Sequence, residues 1–69
     1  MKKEIEIIAD IGEKVMFISK DGKKYPATTI DYAYSGLKNM VEYEIQFLGK
    51  MPSNCAEIIY VSASEISLP

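Results

Sequence analysis

The chain alternates between apolar and polar residues along Val41-Glu42-Tyr43-Glu44-Ile45-Gln46-Phe47. Successive side chains of a β-strand point to opposite faces, so a period of two places the apolar side chains on one face and the polar ones on the other. The pattern predicts a strand that is buried on one side and solvated on the other. No helical period occurs elsewhere in the sequence, which favours an all-β fold.

The residues before this strand predict a β-hairpin. Lys14 to Ser19 is rich in β-forming residues and is followed by Asp21-Gly22, a dipeptide whose two residues tolerate the positive φ of a tight turn. The returning strand would run from Tyr25 to Tyr34. Near Thr28-Thr29 its apolar residues change from odd-numbered to even-numbered positions, and so from one face of the strand to the other. This predicts either a bulge there or a strand that is partly covered on both faces.

The C-terminal third predicts further short elements. Ile58 to Val61 has the composition of a strand, and Ser62 followed by Glu65 has the spacing of a capping box, which suits one helical turn. Ile66 to Leu68 can add a last strand, and Glu4 to Ile8 is a candidate strand at the start. Five or six strands with one short helical turn before the last strand predict a small β-barrel, in a single domain over residues 1–69.

Two motifs carry a resemblance to known small barrels. They are Ile11-Gly12-Glu13-Lys14-Val15 and Asp21-Gly22-Lys23-Lys24-Tyr25-Pro26-Ala27-Thr28. Together with the helical turn before a last strand, they resemble the opening and the end of SH3-like and Tudor-like barrels. The resemblance implies an SH3-like barrel that binds its partner through aromatic side chains and loops at one end. It departs from the Tudor pattern because the chain has no Trp, so it does not imply recognition of methylated residues.

The residue counts exclude several kinds of chemistry. The chain has no His and one Cys, Cys55. His is the commonest general base and metal ligand, and a zinc thiolate site or an internal disulfide needs more than one Cys. Glu42 and Glu44 share a strand face, but alternation places them in solvent rather than in a catalytic pocket. We therefore expect no metal, no cofactor and no enzymatic activity.

Charge and hydropathy limit the partners. Eight Lys against ten Asp and Glu give a net charge of −2, which argues against nucleic acid, because phosphate binding uses a basic face. No apolar run approaches the roughly 18 residues of a membrane span. A free Cys fits a reducing compartment, so a cytoplasmic location is expected.

Aromatic side chains are the best candidates for a binding site. Tyr offers a rigid apolar ring and a hydroxyl, which suits contact with a peptide or a nucleobase. Two alternatives remain open for Tyr32 and Tyr34, which either rim a binding site or cover a thin core. The residues predicted to bind a ligand or partner are Tyr25, Tyr32, Tyr34, Lys38, Asn39 and Tyr60.

Surplus apolar residues predict self-association. Two predicted strands have apolar residues on both of their faces: Val15 to Ile18 and Ile58 to Val61. One small interior cannot bury both faces of two strands. A lone barrel of this size, with no disulfide or metal, has a thin stability margin. We therefore expect a homo-oligomer, most simply a dimer.

Two functions are consistent with these features. The first is a non-catalytic interaction module that binds a protein or a small ligand through Tyr-rich loops. The alternative is an antagonist encoded by a phage or another mobile element, which would block a host defence enzyme or sequester a nucleotide-like ligand. This alternative rests on the small size and the expected architecture of the chain.

Overall fold

The structure is a computed structural model, and it describes residues 7–53 and 55–69. The five strands form one antiparallel sheet in the order β4-β3-β2-β1-β5, and a short 3-10 turn joins β4 to β5. The elements are β1 Lys14–Ile18, β2 Lys24–Ser35, β3 Met40–Phe47, β4 Ile58–Ser62, the turn Ala63–Glu65 and β5 Ile66–Ser67. The all-β prediction is confirmed, as are the five strands and the turn before the last strand.

Closure into a barrel is not observed. Among the described residues, β4 and β5 are the two edges of an open sheet. The last strand, β5, is only two residues long and pairs with β1 at Met16 and Phe17. So short a strand offers too few backbone groups to complete a ladder with β4 as well. The prediction of a closed barrel is therefore corrected to an open five-stranded sheet.

The predicted hairpin forms between β1 and β2. Gly22 has a φ of 87°, a conformation open to glycine at little cost, and its N–H donates to the Ser19 carbonyl at 2.9 Å. The Asp21 carboxylate accepts from the Ser19 hydroxyl and from the Lys23 N–H. These bonds hold the pKa of Asp21 below its usual value, with the Ser19 hydroxyl as the largest cause. The turn residues thus fix the register of the hairpin.

A bulge interrupts the pairing of β2 with β3. The register shifts between Thr29 and Asp31, so that Ile30 has no ladder partner on β3. Of the two alternatives for the change of parity, the bulge is therefore confirmed, close to its predicted position. After the bulge, Tyr32 stands opposite Tyr43, and their ring centroids lie 6.2 Å apart.

One face of the sheet carries the hydrophobic core. Phe17 and Phe47 meet edge to face, with ring centroids 5.6 Å apart. Alternation along β3 is fully reflected in burial, because every second residue from Val41 to Phe47 is buried. The buried apolar residues are Ala9, Val15, Phe17, Ala27, Val41, Tyr43, Ile45, Phe47, Val61 and Ile66.

Residues 7–13 lie against the core face. The Ile8 N–H donates to the Tyr43 hydroxyl at 3.0 Å, and Ala9 is fully buried. The Gly12 N–H donates to the Thr29 carbonyl at 2.7 Å. Of the strand expected over Glu4 to Ile8, residues 4–6 lie outside the described residues, and residues 7 and 8 are not in a strand. No helix in the described part of the chain is long and apolar enough to cross a membrane.

Candidate functional site

A groove lies on the face of the sheet opposite the core, where β2, β3 and β4 run side by side. Its volume is about 160 Å³. We call it the outer groove. Its lining residues are Asp31, Tyr32, Ala33, Glu42, Glu44 and Tyr60.

Strand register brings the polar side chains of the outer groove together. Glu44 on β3 stands opposite Asp31 on β2 and opposite Tyr60 on β4. Directly opposite residues of antiparallel strands project from the same face with their Cβ atoms about 4.5–5.5 Å apart. These three side chains therefore form one row across the sheet, and Glu42 belongs to the next row.

Tyr60 lines the outer groove on β4. Its side chain is exposed, at 70% of its full accessible surface. The negative charge of Glu44 raises the pKa of Tyr60, and partial loss of solvent, a side-chain hydrogen bond with Glu44, and the charges of Asp31 and Glu42 add to the effect. A raised phenol pKa reports a negative field around the ring. The same field would favour a cation placed there.

One cation already lies beside the outer groove. The Lys38 ammonium is 3.2 Å from Glu42 Oε2, in an exposed ion pair. No ion pair to Asp31 or Glu44 is found within residues 7–53 and 55–69. The groove therefore keeps a net negative charge, and its chemistry suits a guest with a positive charge and N–H donors.

The six residues predicted to bind do not form one site. Tyr60 lines the outer groove, and Tyr32 adjoins the groove while its ring packs against the core. Tyr34 hydrogen-bonds Asn39 near the turn between β2 and β3. Tyr25 lies near the other end of β2, where its ring packs against Phe47.

Distance and burial separate the tyrosines of β2. Tyr34 lies nine positions after Tyr25 along the strand, a span of about 30 Å. Tyr32 is half-buried and packs against the core, whereas Tyr34 is exposed at 43%. Tyr32 therefore covers the core, whereas Tyr34 does not, and a binding role for Tyr34 stays a prediction.

The sequence-based predictions did not include the carboxylates of the outer groove among the candidate binding residues. Glu42 and Glu44 were expected on a solvated face, and they do lie on the face opposite the core, half-buried. Asp31 was not singled out at all. The sequence feature that could have indicated Asp31 is the change of parity in β2, because a bulge there decides on which face of the sheet Asp31 lies.

A second cleft, of about 480 Å³, lies beside the β1–β2 hairpin. Cys55, a free and half-buried thiol, contributes to it, as does Phe17. In the described part of the chain, no group of three or more His, Cys, Asp or Glu side chains could hold a metal ion. No family model, curated protein sequence or solved structure matches this chain.

Proposed function

We propose that this chain is a non-catalytic interaction module that binds a Lys or Arg side chain of a partner protein in the outer groove. The supporting observation is the exposed ring of Tyr60 beside the carboxylates of Glu44 and Asp31. The face of an aromatic ring attracts cations, and carboxylates accept charge-assisted hydrogen bonds from ammonium and guanidinium groups. The three groups together offer a guanidinium or an ammonium both kinds of contact.

The size and charge of the groove favour a side chain over a small-molecule ligand. Pockets for drug-sized ligands usually measure about 300–1,000 Å³, whereas the outer groove measures about 160 Å³. A nucleotide-like ligand would also bring phosphates next to Asp31, Glu42 and Glu44, and like charges repel. We therefore propose a protein partner rather than a nucleotide.

The energetics predict weak binding by the groove alone. A cation–π contact at an exposed site contributes about 0.5–1 kcal/mol, and an exposed ion pair about 0.2–1 kcal/mol. Their sum, about 2 kcal/mol at most, corresponds to a change in affinity of roughly thirtyfold at most. A partner must therefore add contacts outside the groove.

We also propose that the fold belongs to the SH3-like class. The support is the strand order, in which β5 pairs with β1 and β4 stands at the opposite edge, together with the 3-10 turn between β4 and β5. This order is similar to that of SH3-like barrels. The resemblance concerns architecture and does not identify a ligand.

A titration with matched peptides tests the proposed function. A short peptide with one central Lys would be compared with the same peptide carrying norleucine, which keeps most of the apolar chain but lacks the charge. We expect the Lys peptide to shift the amide resonances of Glu44 and Tyr60 and to bind more weakly as salt rises. Equal affinity for the norleucine peptide would overturn the proposal.

Protein variants provide the second arm of this test. Glu44→Gln removes a groove charge, and we expect it to weaken binding of the Lys peptide several-fold. Glu57→Gln is the matched control, since it removes the same charge from a side chain that bonds Gln46 outside the groove. Equal losses in both variants would indicate a general charge effect and contradict a site in the outer groove.

A further inference from the structure

The backbone of β4 has an open side. Phe47 donates its N–H to the Glu57 carbonyl at 3.0 Å, which fixes the phase of the ladder between β3 and β4. In an antiparallel ladder the bonded residues alternate, so Ile59 and Val61 bond to β3. Ile58 and Tyr60 therefore direct their N–H and C=O groups away from the sheet. In the described chain, no strand pairs with that side.

The two edges of the sheet differ in their protection. Proteins guard edge strands with charged side chains, Pro, bulges or very short strands. The β5 edge is two residues long and is followed by Leu68-Pro69. The β4 edge, Ile58–Ser62, has no charged residue and no Pro, and its register with β3 is continuous. Within residues 7–53 and 55–69, the sheet thus protects one edge and leaves the other available for pairing.

The open edge of β4 ends before Ser62. The Ser62 N–H is already taken, because it donates to Glu65 Oε1 at 3.0 Å. Ile58 and Tyr60 also have exposed side chains, at 42% and 70%. The available edge therefore covers Ile58 to Tyr60, next to the outer groove.

We propose that β4 accepts an extended segment of a partner protein as a sixth strand, with a Lys or Arg of that segment placed over Tyr60. This inference rests on the proposed function and specifies how the partner binds. An added strand lies about 4.8 Å from β4, and its residue opposite Tyr60 has its Cβ about 4.5–5.5 Å away. A Lys or Arg side chain at that position is long enough to bring its charge over the ring, within the roughly 6 Å of a cation–π contact. Backbone bonds to the edge supply the contacts that the groove alone lacks.

Charge identifies the occupant as a basic segment rather than a second copy of this chain. Two copies paired through β4 would place two sets of Asp31, Glu42 and Glu44 on one continuous face. The added carboxylates would repel one another without supplying a cation. A basic strand instead meets complementary charge at the same edge.

Backbone methylation of a peptide probe tests the inference. The probe is a short synthetic peptide that alternates Val and Lys, and two N-methylated isomers block either its odd or its even N–H groups. Only one parity can face β4, so we expect one isomer to bind at least about tenfold more weakly and the other to bind like the parent peptide. Equal affinity of both isomers, or equal loss in both, would overturn strand addition.

A norleucine version of the probe separates this inference from the proposed function. If the probe needs Lys for binding but both N-methylated isomers bind like the parent peptide, the cation site stands and strand addition is overturned. If one isomer binds more weakly than the parent peptide but the norleucine version binds equally well, strand addition stands. The proposed function is then overturned, and with it the placement of a cation over Tyr60.

Hydrogen exchange of the Ile58 and Tyr60 amides identifies the occupant of the edge. We expect both amides to exchange rapidly in the free protein and to be protected when the parent peptide is bound. Protection without peptide that grows with protein concentration would make a second copy the occupant. Protection that is independent of concentration would make another segment of the same chain the occupant. Either result would overturn the assignment to a partner protein.

Discussion

The composition of the outer groove depends on Ile30, which has no ladder partner on β3. Before it, Thr29 stands opposite Ile45, and after it, Asp31 stands opposite Glu44. With an uninterrupted register, Asp31 would stand opposite Tyr43 and project toward the core face. A bulge of one residue moves every later side chain of the strand to the other face. The extra residue therefore places a carboxylate in the groove and Tyr32 against the core.

Thr29 gives the first prediction at the residue scale. Its side chain is fully buried, and Oγ1 has no hydrogen-bond partner among the described residues. Val has nearly the same shape and lacks the hydroxyl, so Thr29→Val should raise the free energy of unfolding by about 1 kcal/mol. Chemical denaturation measures the change. Thr28→Val, at the half-buried neighbour, is the control, and a loss of stability in Thr29→Val would indicate that Oγ1 is in fact paired.

Tyr60 gives the second prediction at the residue scale. Because the charge of Glu44 is the largest cause of its raised pKa, Glu44→Gln should lower that pKa toward the ordinary value of 10.0. An alkaline titration of tyrosine absorbance measures this, with Glu57→Gln as the charge-matched control. An unchanged titration in Glu44→Gln would contradict the field described for the outer groove.

The same shift has a consequence for stability at high pH. The pKa of Tyr60 is higher in the folded than in the unfolded protein, so the folded state holds this proton more tightly. Stability associated with the group is present below the unfolded pKa and is lost as pH rises through the folded pKa. Glu44→Gln should therefore reduce the loss of stability above pH 10.

At the scale of elements, the turn Ala63–Glu65 connects the two edges of the sheet. It follows β4 and leads directly into β5, which pairs with β1. The capping box expected from Ser62 and Glu65 is present, and Glu65 Oε1 accepts from the Ser62 N–H. This short element therefore determines where β5 can reach β1, and it also closes one end of the open β4 edge.

The capping box gives the prediction at this scale. Glu65→Ala leaves the Ser62 N–H without its acceptor, and we expect a loss of about 1 kcal/mol in the free energy of unfolding. Glu65→Gln keeps an oxygen acceptor and should lose less. Thermal or chemical denaturation of the two variants measures the difference. Equal stability of Glu65→Ala and the unchanged protein would show that the box does not support the turn.

At the scale of the whole molecule, much apolar surface remains in solvent. Residues 7–13 cover the core face but expose isoleucines of their own, Ile7 at 38%, Ile8 at 36% and Ile11 at 58%. Leu37, at the turn between β2 and β3, is fully exposed. Grouped apolar side chains of this kind are typical of surfaces that associate.

Self-association is the prediction at this scale. We expect a dimer in light scattering or sedimentation at micromolar concentrations, formed through residues 7–11 rather than through β4. Ile11→Lys should shift the protein toward monomer, whereas Leu37→Lys, which places the same charge on the isolated turn, should not. A monomer at every concentration would contradict the dimer and leave the exposed isoleucines to a different partner.

Sequence alone determined the features whose causes are local. The strand from Val41 to Phe47, the Asp21-Gly22 turn and the Ser62–Glu65 capping box each depend on residues within a few positions of one another. Their predictions were therefore confirmed. The parity change in β2 also indicated a bulge correctly, although not which face each later residue would join.

Only the tertiary structure decided the features that depend on pairing between distant strands. It placed Tyr25 and Tyr34 near opposite ends of β2, packed Tyr32 against the core while leaving Tyr34 exposed, and left the sheet open where a closed barrel was expected. It also brought Asp31, Glu44 and Tyr60 into one row from three different strands. The physical reason is that strand register fixes which side chains are neighbours, and register is set by the bulge and by contacts far apart in the chain.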